Sequence, residues 1–187
     1  MKKGSTGHLD ETFPKLSVDN GWLGGKGDDW EETPYWLDGS LPLSWLLDDD
    51  SLKQKVLRYI NWSIVNQRTS GFFGAYTQQE RAGNSTELSP EYGADWWPLM
   101  VMLKVMQQYY SATSDKRVVA FMTKYFSYQL INLRKYPLSK WSEWAVARGG
   151  ENIMSVYWLY RITKVPFLLE LANLLFKKTT PWTQLMG

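Results

Sequence analysis

Apolar positions along this chain recur with the period of helices. In SLKQKVLRYINWSIVNQ the residues Leu52, Val56, Tyr59, Ile60 and Ile64 fall on one helical face. Val119, Met122, Phe126 and Leu130 do the same between Lys116 and Leu133. Read this way, the chain divides into three similar units, each a helix, a short turn and a second helix. The first unit runs from Pro34 to about Gln67, opening with PYWLDGSLPLSWLL and turning at DDDS. The second opens at Asp95 with DWWPLMVMLKVMQQYYSAT and turns at SATSDK. The third opens near Glu151 with ENIMSVYWLYRIT, turns at KVP and continues as FLLELANLLFKK. Strand signals are weak, and GFFGAYT, Gly71–Thr77, is the one candidate for a short hairpin arm.

Local chemistry refines these bounds. Thr33 is placed to cap the first helix with Pro34 at its first position, and Pro42 predicts a kink or an early end. Asp95 suits an N-cap, with Pro98 in the first turn. The turns centre near Asp49, Asp115 and Val165, about 50 to 66 residues apart, which is long for a solenoid repeat, so the extra length lies in the loops between units. Those loops carry GGKGDDWEET, TELSPEYGADWW and KWSEWAVARGGEN, and each precedes the first helix of a hairpin. If the hairpins stack in the same sense, all three loops and their helix N-termini gather at one end.

The expected fold is therefore all-α. The chain forms a single domain over residues 1–187, with residues 1–33 an irregular lead-in that carries a site loop. A toroid of six such hairpins is an (α/α)6 barrel, and three hairpins make about half of one. A half ring leaves two open apolar edges, so the chain is expected to be the N-terminal half of a longer protein, or to close its ring with the missing half or a second chain.

Composition narrows the function. Hydrophobic residues make up 44% and charged residues 21% of the 187 residues, a globular balance. The net charge is +2 with basic and acidic residues mixed, which argues against a nucleic-acid partner. The apolar runs are too short to span a membrane, and MKKGSTGHLDETF lacks the apolar core of a signal peptide, so the compartment stays open. With no cysteine the chain can build no thiolate zinc site, its only histidine, His8, reads as structural or exposed, and no cofactor is expected within it. Eleven Trp and eleven Tyr are the unusual feature. Some must be core, and rings with polar tips also suit a groove that stacks flat ligands.

The densest candidate is GGKGDDWEETPYW. It is not a phosphate loop, having neither the Walker spacing nor a preceding strand. Its DDWEE resembles the acidic motif of terpene cyclases, but the glycines put it in a loop and no second acidic motif accompanies it. It can simply favour the following helix through its dipole. Carboxylates and Trp on a common rim are also what sugar chemistry needs: paired carboxyl groups for cleavage, and charged side chains and ring faces for hydroxyls and C–H surfaces. The rim candidates for sugar binding are Asp28, Asp29, Trp30 and Glu31 from the first loop. Glu91, Asp95, Trp96 and Trp97 come from the second, and Arg148 and Glu151 from the third. Asp95 reads first as a cap, one of the two Trp is expected to face the core, and Glu151 can pair with Arg148.

The strings TGHLDE, NGWLGGKGDDWEETPYWLDG, NQRTSGFFGAY, DWWPLMVMLKVMQQYYSAT, MTKYFSYQL and WAVARGGENIMSVYWLY resemble the family called domain of unknown function 1680, related to the β-L-arabinofuranosidases of glycoside hydrolase family 127. The resemblance runs from about Thr6 to Trp182. It implies an (α/α)6 barrel, usually followed by β-sandwich domains, that hydrolyses glycosides of L-arabinofuranose or a similar plant-glycan sugar, often outside the bacterial cell. It also implies a Cys nucleophile held near zinc in the second half of the barrel. This chain has no cysteine, so no catalytic residue is carried over, and zinc belongs to the complete protein. The alternatives are a non-catalytic carbohydrate-binding fragment and a helical assembly scaffold.

Overall fold

The computed structural model describes residues 8, 11–13, 16, 19–76, 80, 95–140 and 142–186. Eight α-helices are described: α1 (Glu32–Leu46), α2 (Asp50–Val65), α3 (Trp96–Thr113), α4 (Arg117–Leu133), α5 (Glu143–Ala147), α6 (Gly149–Thr163), α7 (Phe167–Lys178) and α8 (Trp182–Leu185). Short 3-10 turns lie at Gly21–Leu23 and Leu138–Lys140. The fold is all-helical, and no strand occurs among the described residues.

The three hairpins are α1–α2, α3–α4 and α6–α7, and they form two layers. In one layer α3 packs between α1 and α6; in the other, α4 packs between α2 and α7. Pair contacts fix the sense of the first layer. Asp38 meets Lys104 and Gln108, and Trp45 meets Tyr109, so α1 and α3 run parallel. Gln107 meets Ser155 and Tyr110 meets Trp158, so α3 and α6 run parallel as well. This is the arrangement of an arc of an α/α toroid.

Burial explains why α3 is central. Trp96 through Leu103, Val105, Met106 and Tyr109 are all buried, and a helix apolar on nearly every side has to be surrounded. The α4 face given by the apolar period is buried as well, with Met122, Phe126 and Leu130 inside the core and Val119 packed at its edge. The turns of the second and third hairpins repeat one design. Ser114 and Lys164 both adopt the left-handed conformation and close the preceding helix onto Tyr110 and Tyr160. Thr113 and Thr163 each donate their hydroxyl one turn back, to Tyr109 and Leu159.

Three local expectations are corrected. Thr33 does not cap α1: its hydroxyl accepts from Asn20 at 2.7 Å and its N–H is bound by Asp28, and the helix starts two residues before Pro34, at Glu32. Pro42 neither ends nor divides α1. Its neighbours Leu41 and Ser44 are buried, and that packing carries the helix through the missing N–H. Gly71–Tyr76 is irregular instead of a strand. Gly71 and Gly74 take positive φ angles of 102° and 117°, which drives Phe72 and Phe73 into the core. Phe73 sits 4.8 Å from the rings of both Phe121 and Tyr125.

Candidate functional site

Because the first-layer helices are parallel, their N-termini share one end, and the described residues that lead into them come together there. The first loop is folded on itself before it reaches its neighbours. Asn20 caps the Gly21–Leu23 turn by accepting from Trp22 N at 2.9 Å, and Trp22 donates its indole N–H to the carbonyl of Trp30 at 3.0 Å. Asp28 is buried. One of its oxygens accepts from Trp30 N at 3.1 Å and the other from Thr33 N at 2.7 Å. It therefore fixes the loop and satisfies an open N–H of α1, and the helix dipole favours its charge there.

Side chains then tie the first loop to the N-terminal ends of α3 and α6. Trp30 donates its indole N–H to Asp95 Oδ2 at 3.1 Å, while Asp95 Oδ1 caps α3 through Trp97 N at 3.0 Å. Trp97 donates its indole N–H to Glu31, and its ring lies 6.1 Å from that of Tyr35. The guanidinium of Arg148, at the start of α6, stands 5.2 Å from the Trp97 ring centroid. Arg148 also pairs with Glu151 at 3.5 Å.

The rim candidates thus separate into two groups. Asp28, Trp96 and Trp97 are buried, and both Trp of the second loop face inward where one was expected to. Asp95 is the cap of α3 as well as the partner of Trp30. Trp30 and Glu31 are half-buried, Asp29 is exposed, and the Arg148–Glu151 pair is open to solvent, with side chains 45% and 40% accessible. Glu91 lies outside the described residues. The accessible set on one rim is Asp29, Trp30, Glu31, Arg148 and Glu151.

Below the rim, on the concave face of the first layer, lies a groove of about 840 Å3. Trp45 lines it from α1 and Trp158 from α6. Its floor is a polar stripe on α3, Lys104, Gln107, Gln108 and Ser111, and Glu151 joins it to the rim. The sequence reading missed these residues. Their signal was present in MVMLKVMQQYYS: polar residues at positions i, i+3, i+4 and i+7 of an otherwise apolar helix mark one face left open.

Residues 21–184 match the family model described as the β-L-arabinofuranosidase, GH127 catalytic domain. The chain belongs to this family. The resemblance to glycoside hydrolase family 127 drawn from the motifs is thereby established over residues 21–184, and with it the general class of glycoside hydrolases. Comparisons with curated proteins and with solved structures give no match. The family's zinc does not fit the residues present: the chain has no cysteine, and among the described residues no three His, Cys, Asp or Glu side chains group to hold a metal ion.

Proposed function

We propose that this chain contributes the sugar-binding rim of a glycoside hydrolase acting on L-arabinofuranosides or a similar plant-glycan sugar, as the first half of an (α/α)6 barrel. The observation that carries the reading is the junction of the first loop with the N-terminal ends of α3 and α6 through Trp30–Asp95, Trp97–Glu31 and Arg148 over Trp97, inside the matched catalytic domain. Such a junction spends hydrogen bonds on holding a rim in one shape. Groups fixed in advance bind a sugar without the entropic cost of ordering loose loops.

The chemistry of the accessible set suits binding. Arg148 offers donors from a planar fork, and Asp29, Glu31 and Glu151 offer acceptors, the complement of a sugar's hydroxyls. Trp30 adds a ring at the same level for the C–H face of the sugar. Glycosidic cleavage needs a proton donor and a nucleophile or base flanking the scissile bond. The proposal assigns neither to these residues, because Glu31 is engaged by Trp97 and Glu151 by Arg148. No step runs through a metal.

That engagement also favours a second reading, in which the chain binds carbohydrate without turning it over. One experiment addresses both. Trp fluorescence is followed during titration with methyl β-L-arabinofuranoside, and release of p-nitrophenol is followed from p-nitrophenyl β-L-arabinofuranoside. A saturable fluorescence change that is lost in Arg148→Ala supports the rim. Turnover in the same sample selects the hydrolase, and saturation without turnover selects the binding module. No fluorescence response to methyl β-L-arabinofuranoside removes both readings.

A further inference from the structure

We propose that the groove between Trp45 and Trp158 is a saccharide subsite that takes the sugar units adjoining one held at the rim. This rests on the sugar-binding reading above. Three observations carry it: continuity with the rim, a polar floor held in fixed orientation, and a flanking indole on each side.

Continuity comes from Glu151. The same carboxylate that pairs with Arg148 at the rim lines the upper end of the groove. From there the groove follows α3 from Lys104 to Ala112, about 12 Å at the rise of an α-helix. Its long axis leads away from the rim along α3, a path open to a chain of sugars anchored at Arg148.

The floor is not a random polar surface. Asp38 accepts from Lys104 Nζ at 2.8 Å and from Gln108 Nε2 at 2.7 Å, and Gln107 Nε2 donates to Ser155 Oγ. These contacts cross from α3 to both neighbouring helices and fix the floor's amides and ammonium in place. One N–H of Lys104 is used on Asp38, which leaves the others for a ligand. Gln107 uses its NH2 group on Ser155 and keeps its carbonyl oxygen as an acceptor.

The side walls have the opposite character. Trp45 is held edge-on by Tyr109, with centroids 6.3 Å apart, and Trp158 by Tyr110, at 5.4 Å. Both indoles are half-buried and line the groove. Leu41, Pro42 and Met154 add apolar surface. A purely apolar ligand would strip water from Lys104, Asp38 and the amides without replacing their hydrogen bonds. An anionic ligand would meet Lys104 already neutralised by Asp38, with Glu151 nearby. A neutral ring with C–H faces and hydroxyl edges matches both walls and floor, and that is a glycan unit.

The test measures affinity against chain length. The intact protein is titrated calorimetrically with methyl β-L-arabinofuranoside and with β-L-arabinofuranosyl oligosaccharides of increasing length. The expected result is a Kd that falls by about tenfold or more between the monosaccharide and the longer oligomers. Trp158→Ala and Lys104→Met should bring that ratio close to one. Trp158→Ala removes a ring packed on Tyr110 and can disturb α6. Lys104→Met keeps the aliphatic stem on an exposed side chain, so it tests the groove independently, with circular dichroism checking the fold of both. Methyl β-L-arabinofuranoside binding with no gain from length overturns the groove and leaves the rim standing. A length effect unchanged in both variants overturns it too. No binding of any saccharide overturns the groove together with the rim. Capture of 8-anilinonaphthalene sulfonate that oligosaccharides fail to displace would show an apolar docking face instead, and would also overturn the subsite.

Discussion

The indole N–H of Trp30 is 3.1 Å from Oδ2 of Asp95, across 65 positions of sequence. The other oxygen of Asp95 caps α3, so a single carboxylate starts a helix and holds the neighbouring loop against it. Asp95→Asn separates the two roles. An Asn side chain still accepts from Trp97 N, but its NH2 group then faces the N–H of Trp30, donor against donor. The variant should lose about 1–2 kcal/mol, while Trp30→Phe in the same background should recover part of the loss. A double-mutant cycle by urea unfolding checks this. Strictly additive losses would mean that the bond contributes nothing.

Gly149 opens α6, where alanine would ordinarily improve a helix. Here a Cβ at that position would lie 2.0 Å from Thr179 Oγ1 and 3.1 Å from its Cβ. The C-terminal end of α7 therefore passes too close for any side chain. Gly149→Ala should cost about 1–3 kcal/mol. Gly149→Ala combined with Thr179→Ala should restore most of it, because the second change removes the nearest atom. Thermal unfolding of the single and double variants measures the difference. A stabilised single variant would contradict the close approach.

The sequence made the helices legible and left much of the rim obscure, for definite physical reasons. The apolar period placed Leu52, Val56, Tyr59 and Ile60 correctly because a one-sided helix must turn that face inward. The same period cannot tell which acids of DDWEE remain open. Asp28 is consumed by two backbone N–H groups that come together only when the loop folds, whereas Asp29 beside it stays exposed. Asp95 was readable as a cap from local sequence alone, and its bond to Trp30 was not, because that partner is distant in the chain. Pro42 does not end α1, since its local penalty is outweighed by the burial of Leu41 and Ser44. The groove floor was legible in principle in the spacing of Lys104, Gln107, Gln108 and Ser111.

Arg68 is the most enclosed cation described. Its side chain is 5% exposed and that of its partner Glu80 is 6% exposed. The guanidinium meets Glu80 through two nitrogens, at 2.9 and 3.0 Å, and donates to the carbonyls of Gly74 and Ala75. Those carbonyls flank the segment that inserts Phe72 and Phe73 into the core. Removing the carboxylate leaves a buried charge with only neutral acceptors, so Glu80→Ala should cost about 3–5 kcal/mol. Limited proteolysis should cut Gly71–Tyr76 faster in that variant. Equal cleavage rates in wild type and variant would show that Arg68 holds the segment without Glu80.

Asp115 gives a prediction with a defined pH window. It sits in the α3–α4 turn, where one oxygen accepts from the backbone N–H of Arg117 at 2.9 Å and the other accepts from Tyr109 OH at 3.0 Å. The Arg117 side chain binds both oxygens and holds the carboxyl down from its ordinary 3.8 to about 2. A depressed carboxylate pKa means that the folded chain favours the ionised form. Its contribution is complete above the unfolded value of 3.8 and is lost as pH falls through about 2. Arg117 is largely exposed, so solvent screening limits the contribution to about 1 kcal/mol or less. For a chain of this size that corresponds to a Tm difference of about 2–4 °C between wild type and Asp115→Asn. The difference should hold steady from neutral pH to about 5, shrink below about 4 and disappear near 2, where the wild-type carboxyl is protonated and resembles the amide. Added salt should reduce it at neutral pH, since the ion pair faces solvent. Differential scanning fluorimetry of both proteins across this range provides the check. A Tm difference that persisted unchanged at pH 2 would assign the effect to packing in the turn rather than to the charge on Asp115.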